Sequence, residues 1–217
     1  MQELLLEEIA RAAPGIEDLG SPLRVIVPSE ALRRHVLTAL MRDRSRALAG
    51  VLVQTLGGAA TEILRGSELP PPCGETAYQI LVRRRAASEP ELQAGLGELE
   101  NGFDGVVATV RDLLDAGFEP IHEEALLEQL EAISSPVVTS RRLKRAAAII
   151  RVAATVESEA SQLHAGRTST LLRQAAELVL SGTGKFGCRK VLIHGFADAT
   201  AVAADLIEAC LLYTSPS

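Results

Sequence analysis

Residues 23–40, LRVIVPSEALRRHVLTAL, carry the clearest structural signal of the chain. The first five, LRVIV, form an apolar and β-branched run, which is typical of a strand buried on both faces. Pro28 ends this strand, and Ser29 can cap a helix by accepting a backbone N–H. Leu32 and Val36 follow at helical spacing and belong to one apolar stripe. The stretch therefore predicts a buried strand that leads directly into an amphipathic helix.

The same order of strand and helix recurs twice. Residues 51–54 form a second short strand with a helix from Leu56, and residues 190–194 (KVLIH) form a third strand before another helix. Strands that alternate with helices predict a parallel sheet with right-handed crossovers. Between the second and third strands the patterns are only helical, and we expect helices over roughly 75–88, 101–116, 120–133, 140–164 and 168–181.

We therefore expect an α/β protein, with a small parallel sheet, flanking helices and an inserted all-helical subdomain. Residues 1–73 would form the first part of the α/β domain, residues 74–183 the insertion, and residues 184–209 the return to the α/β domain. The last eight residues, CLLYTSPS (210–217), resemble the translation of a common sequencing adapter. We expect residues 210–217 to be an artefact and the native chain to continue beyond Ala209.

The composition limits the classes of function. The chain has 217 residues and a net charge of −6, which argues against a small, general nucleic-acid binder but allows a local basic surface. Its three cysteines show no metal-binding spacing, which suits a reducing cytoplasm, and we expect a cytoplasmic protein. The longest apolar stretch, residues 146–156, contains Arg151 and is too short to span a bilayer, so we expect no membrane segment.

No motif predicts a catalytic centre. Residues 182–185 (GTGK) resemble a phosphate-binding loop, but they leave a helix and enter a strand, whereas such a loop follows a strand and opens a helix. Lys185 also precedes Phe186 instead of the Ser or Thr that would bind magnesium. We expect an ordinary helix-to-strand turn. The four histidines are scattered, and we predict no catalytic residue, no metal site and no cofactor in this chain.

Two predicted helices carry dense positive charge, and such faces can contact phosphates and release counterions. The alternative is a solvated helix face balanced by nearby glutamates, and the sequence leaves both open. The first helix carries Arg33, Arg34, Arg42, Arg44 and Arg46, and the second carries Arg141, Lys144, Arg145 and Arg151 within about a third of its circumference.

Four segments in order resemble the N-terminal, helicase-like region of AddB-type helicase–nuclease subunits. They are RVIVPSEALRRHVLTAL (24–40), GVLVQTLGGAATEIL (50–64), NGFDGVVATVRDLLDAGFEP (101–120) and KVLIHGFADATAVAADLIEA (190–209). The resemblance covers most of residues 20–209. It implies a superfamily 1 helicase-like fold, related to P-loop NTPases but degenerate.

The resemblance also implies where chemistry is missing. In active relatives the third strand would end in an Asp-Glu pair that holds magnesium and orients water on ATP. Here that position has His194, Gly195 and Phe196, and we expect Asp198 to cap the following helix. The family's first strand and phosphate loop would precede residue 2. ATP hydrolysis by this chain is therefore not expected.

By the same resemblance, Pro28, Ser29 and Thr55 occupy strand-end positions where helicase relatives contact the backbone of single-stranded DNA. Hydroxyls and exposed N–H groups at a strand-to-helix junction can bond phosphate oxygens. Helix capping by Ser29 and Thr55 is the alternative, and both roles can hold together. The candidate DNA contacts are thus Ser29, Arg33, Arg34, Thr55, Arg141, Lys144 and Arg145.

The expected function is a non-catalytic DNA-binding or scaffolding fragment of a helicase–nuclease subunit that processes double-strand ends for recombinational repair. Its partners would be DNA, as single strands or duplex ends, and an AddA-type subunit. The parent protein would belong to an ATP-dependent enzyme whose nuclease domain lies further towards the C-terminus. Two alternatives stay open. One is a helical interaction module, and the other is a nucleotide-binding α/β protein with its phosphate site at residues 55–58 (TLGG), which lack a lysine.

Overall fold

The computed structural model describes residues 2–13, 20–42, 49–70, 74–133, 140–163, 166–184 and 186–214. The chain divides into two compact units. Residues 1–71 and 171–217 form the first, which we call the α/β unit, and residues 72–170 form the second, which we call the helical unit.

In chain order the elements are α1 (Gln2–Ala12), β1 (Leu23–Val27), α2 (Glu30–Arg42), β2 (Val51–Thr55), α3 (Leu56–Gly66), α4 (Glu75–Ser88), α5 (Pro90–Leu96), α6 (Asp104–Asp115), α7 (Glu123–Ala132, after a 3-10 turn at Pro120–His122), α8 (Ser140–Gln162), α9 (Thr168–Leu180), β3 (Lys190–Ile193) and α10 (Ala201–Thr214). Within the described ranges, no helix combines the length and the apolar character needed to cross a membrane.

The three strands form one parallel sheet in the order β2-β1-β3. In register, Val27 of β1 lies beside Thr55 of β2, and Ile26 lies beside Ile193 of β3. The predicted small parallel sheet with flanking helices is therefore confirmed. β1 is the central strand, and all five of its residues are buried, as expected for a strand that is covered on both faces.

Helices cover the two faces of the sheet with separate apolar clusters. Val25 and Val27 pack with α1 and α2 on one face, while Ile26 packs with α3, α9, α10 and Phe186 on the other. Successive side chains of a strand point to opposite faces, so the single run LRVIV supplies both clusters. The α/β unit is thus a three-layer arrangement built around β1.

The run LRVIV also contains a buried charge, which its interpretation as an apolar run overlooked. Arg24 is 4% exposed, and its Nη1 and Nη2 donate to the two carboxylate oxygens of Glu62 at 2.7 and 2.8 Å. Its Nε donates to the carbonyl of Gly187 at 3.1 Å, and Nη1 also donates to Gln54 at 3.0 Å. The guanidinium lies 4.6 Å from the ring centroid of Phe186. A buried arginine is tolerated here because its donors and its charge are matched.

The helical unit is organised around α8, which contacts α4, α5, α6 and α7. Its core contains large side chains such as Tyr78, Leu92, Val110 and Phe118. The short helix α5 was not predicted, since its seven residues are too few to show a helical stripe.

The boundary between the units differs from the expected one. We expected the insertion to extend to residue 183, but the helical unit ends at Thr170. Most of α9 belongs to the α/β unit, because its apolar side chains, including Leu172, Ala175 and Val179, pack into the cluster on the sheet. An amphipathic helix can serve either core, and tertiary packing selects between them.

Candidate nucleic-acid interface

Ser29 and Thr55 lie together at the carboxyl edge of the sheet. Thr55 is the last residue of β2 and lies in register with Val27, the last residue of the neighbouring strand β1. Ser29 lies two residues after Val27. Ligands of open parallel sheets bind at the carboxyl ends of the strands. The structure thus brings two of the predicted contacts to the edge of the sheet where such a ligand would lie.

Both hydroxyls cap a helix. Ser29 Oγ accepts from the N–H of Leu32 at 3.2 Å, and Thr55 Oγ1 accepts from the N–H of Gly58 at 3.1 Å. A hydroxyl that accepts a hydrogen bond keeps its own O–H as a donor. Capping therefore does not use up the group that would bond a phosphate oxygen, and the two roles of each side chain are compatible.

The free space beside the carboxyl edge of the sheet differs between the start of α3 and the end of β3. A Cβ built at Gly57, in the first turn of α3, would meet nothing within 4 Å. At the end of β3, Gly195 has a φ of +82°, and a Cβ there would lie 2.4 Å from Cδ2 of Leu32. The open approach is thus to the N-terminus of α3, whereas the end of β3 is packed tightly against α2.

The end of β3 lacks a carboxylate pair. Its last pairing is made by His194, whose N–H donates to the carbonyl of Ile26 at 3.0 Å. The expectation that Asp198 caps the next helix was wrong. The carbonyl of Thr200 accepts the first hydrogen bonds of α10, from Ala203 at 3.0 Å and Ala204 at 2.9 Å, so Thr200 holds the cap position.

The two arginines of α2 differ in how far their charge is balanced. Arg33 Nε donates to Glu30 at 2.8 Å, whereas the closest approach of Arg34 to Glu30 is 4.0 Å and its side chain is 74% exposed. The hydrogen bond from Arg33 is the main reason that the pKa of Glu30 is lowered, and the same bond raises the pKa of Arg33. Arg42 is exposed, and Arg44 and Arg46 lie outside the described residues. Arg34 is therefore the better candidate for a phosphate contact.

The basic face predicted on α8 belongs to the helical unit and divides into two pairs. Arg141 and Lys144 are exposed and form no ion pair with any described residue. Arg151 instead donates to Glu89 at 3.2 Å. Arg145 lies directly against Gly95, and its buried Nε has no hydrogen-bond partner among the described residues. Only the first two cations of this face are available to a ligand.

The segment that resembles a phosphate-binding loop is a helix terminus. Gly182 has a φ of +72°, and its N–H donates to the carbonyl of Val179 at 3.0 Å. The N–H of Gly184 donates to the carbonyl of Leu178 at 2.7 Å. These bonds close the C-terminal end of α9, as the interpretation as a helix-to-strand turn predicted. Lys185 lies outside the described residues.

The helical unit also contains a polar cluster that was not predicted from the sequence. Arg167 has a side chain only 9% exposed, donates to Glu75 at 3.0 Å and lies 5.8 Å from the ring centroid of Tyr78. The Tyr78 hydroxyl in turn donates to the buried Glu157 at 3.4 Å. The residues of this cluster are far apart in the chain, so no spacing pattern in the sequence could have predicted it. In the described part of the chain, no group of three or more His, Cys, Asp or Glu residues could hold a metal ion.

No protein-family model matches the chain, and the search of curated proteins found no match.

Proposed function

We propose that this chain is a non-catalytic, DNA-binding part of an AddB-type helicase–nuclease subunit that acts on DNA double-strand ends. The observation that supports it best is the placement of Ser29 and Thr55 at the carboxyl edge of two neighbouring parallel strands, each at the start of a helix. The proposal takes the α/β unit as a degenerate superfamily 1 helicase-like domain, and it includes a cytoplasmic location and an AddA-type partner subunit.

The chemistry of this edge suits a phosphodiester backbone. Phosphate oxygens can be bonded by the two hydroxyl donors and by the N–H groups at the start of α2 and α3. The exposed Arg34 can attract them as well. Such contacts position a strand without sequence preference. With a net charge of −6 the chain as a whole repels DNA, so binding should be weak and strongly dependent on salt.

The role assigned to the chain is to hold DNA, without hydrolysis of ATP. The end of β3 offers His194 and Gly195 where a motor would need carboxylates, and the exposed Asp198 lies beyond the strand. The proposed contact is confined to the α/β unit, because Ser29 and Thr55 lie there. Arg141 and Lys144 of α8 are exposed but belong to the helical unit, and Arg145 is packed against Gly95.

The test is fluorescence anisotropy of the full chain with labelled single-stranded DNA of about 20 nucleotides, longer than the ~4–16 nucleotides that small binding modules cover. Reversing the charge of Arg34 (Arg34→Glu) should weaken binding about fivefold or more at low salt, since an exposed cation near the phosphates is lost. Arg84→Glu is the matched control, since Arg84 is equally an exposed helix arginine but lies in the helical unit. Equal effects of the two variants, or no binding at low salt, would contradict the proposal.

A nucleotide-binding α/β protein is a second candidate. Here β2 runs directly into α3 at Thr55 and Leu56, and open space lies in front of Gly57. That is the strand-to-helix context in which a helix N-terminus receives a phosphate. Saturable thermal stabilisation of the chain by ATP, abolished by Gly57→Leu, would support this candidate. If ATP has no effect on the melting temperature at millimolar concentration, it is eliminated.

A further inference from the structure

Helix α7 of the helical unit carries an acidic flank. Glu124, Glu128 and Glu131 recur at helical spacing, are all exposed and form no ion pair with a described residue. No residue of α7 is fully buried, and its leucines are half-buried against the core. Just beyond the helix, Ile133 is 62% exposed. Helix α7 is therefore less buried than the other helices that form the core of the helical unit.

A groove of about 320 Å³ runs between α7 and the N-terminal half of α8. Its apolar floor is formed by Leu127, Leu130, Leu143 and Ala147. Glu131 lies on the α7 wall and Lys144 on the α8 wall. The two walls thus carry opposite charge, with Glu131 on α7 and with Lys144 and the Glu89-bonded Arg151 on α8. Glu124 and Glu128 line an adjoining groove of α7, which shares Leu127 and Glu131 with this one.

This pattern of charge is complementary to itself. A partner helix of one sign would be attracted by one wall and repelled by the other. A two-fold axis that runs parallel to the groove instead places the acidic wall of one copy against the basic wall of the next, twice in each dimer, as an isologous interface requires. The half-buried leucines of the two copies would then meet between four helices, in the manner of a four-helix bundle.

We infer that the α7–α8 face binds a second copy of this chain. The dimer places the acidic flank of α7 (Glu124, Glu128 and Glu131) against Arg141 and Lys144 of the other copy, over a shared apolar floor. This inference goes beyond DNA binding and does not depend on it, because the residues that carry it lie in the helical unit, whereas the proposed DNA contacts lie in the α/β unit.

The experiment is sedimentation equilibrium of the full chain at roughly 100 μM, where dimers of micromolar affinity are populated. The wild type is expected to dimerise at low salt and to dissociate at least partly at about 0.5 M salt, where opposite charges are screened. Two charge-reversed variants follow: Glu128→Lys/Glu131→Lys and Arg141→Glu/Lys144→Glu. Each alone should lose about tenfold or more in dimer affinity, because like charges then face each other in both contacts.

The decisive sample is an equimolar mixture of the two variants. In the mixed dimer both contacts join opposite charges again, so the mixture should dimerise about as well as the wild type. The single substitutions Glu131→Lys and Lys144→Glu form a second pair for the same test if a double variant fails to fold by circular dichroism. A monomeric wild type at low salt, dimerisation unchanged by both reversals, or a mixture that stays monomeric would each overturn the inference.

Discussion

Replacing Glu62 by glutamine tests the buried charge at the centre of the α/β unit. The substitution keeps the size of the side chain but removes the carboxylate that accepts from both Nη atoms of Arg24. The Arg24 side chain is only 5% exposed, so water cannot replace the lost partner. The amide of a glutamine at position 62 could accept one of the two bonds at most. Arg24 would then be left with an unbalanced charge inside the sheet layer.

The size of the effect follows from the burial of the two partners. Removing one member of a fully buried ion pair costs about 3–5 kcal/mol. Glu62 is 49% exposed, so its own solvation partly compensates and solvent screens the pair. Arg24 also keeps the carbonyl of Gly187, the side chain of Gln54 and the ring of Phe186. We therefore expect Glu62→Gln to lower the free energy of unfolding by about 2 kcal/mol.

The assay is urea denaturation of the full chain followed by far-UV circular dichroism. With a slope of about 2 kcal/mol per M, the midpoint of the transition should fall by about 1 M. Glu177→Gln is the matched control, because Glu177 is an exposed helix glutamate of the same unit without an ion pair to any described residue. Its effect should stay within about 0.5 kcal/mol. If the two variants shift the midpoint equally, the Arg24–Glu62 pair does not contribute and the reasoning is refuted.

The pH dependence gives an independent check of the same pair. The hydrogen bond from Arg24 is the main cause that holds the pKa of Glu62 below its ordinary value of 4.5. A carboxylate whose pKa is lower in the folded state contributes stability above the unfolded value and loses it as the pH falls through the folded value. The difference in unfolding free energy between wild type and Glu62→Gln should therefore be constant near neutral pH and shrink below pH 4.5. A difference that grows towards acid pH would contradict the assignment.

Three further predictions concern single side chains. Gly102→Ala should destabilise the chain by about 2 kcal/mol in a thermal melt, because the new Cβ would lie 2.0 Å from the carbonyl oxygen of Leu96, whereas Gly105→Ala in α6 meets nothing within 4 Å and should not destabilise the chain. Thr55→Val should lower the unfolding free energy by about 1 kcal/mol through loss of the cap of α3, and Thr55→Ser should not; equal effects in denaturation would exclude capping as the cause. Burial raises the pKa of the Cys210 thiol to about 12, so a thiol reagent at about pH 8 should modify this residue only after denaturation, as mass spectrometry of the labelled peptide can show.

The secondary structure and sheet type could be predicted because their signals are local. Each strand is a short, largely apolar run with a helix after it, and three such units imply a parallel sheet. The predicted helix over residues 75–88 agrees with α4 at both ends, since Gly74 precedes it and Glu89-Pro90 ends it. The third strand is one residue shorter than expected, although the N–H of His194 still bonds to Ile26. Helix α5 escaped prediction because Pro90 starts a helix of only two turns.

The placement of α9 could not be predicted in the same way. Its sequence shows an amphipathic helix, and this pattern specifies a buried stripe but not the core in which the stripe is buried. The position of the helix between the helical segments and β3 suits either unit. Only the packing of Leu172 and Val179 against the sheet cluster assigns it.

The candidate site divides along the same line between local and distant interactions. The caps at Ser29 and Thr55 were visible in the sequence because a cap involves residues three apart. The availability of the other cations was not always visible, because some of them bond to partners far away in the chain. Arg151 is balanced by Glu89, 62 residues earlier, and Arg24 by Glu62, 38 residues later.

Charge density on a helix therefore overstates the charge that a ligand meets. Both predicted basic faces contain cations that the fold has already engaged: Arg33 by Glu30 within its own helix, and Arg145 by close packing against Gly95. Glu30 bonds only the Nε–H of Arg33, at 2.8 Å, so a phosphate could still bond the Nη groups, but the charge that attracts it is already balanced and the electrostatic gain is smaller. The charge of Arg34, Arg141 and Lys144 is not balanced in this way. The electrostatic part of any binding to this chain should accordingly depend on these exposed cations, while substitution of Arg33 should affect binding less and substitution of Arg145 should act mainly on stability.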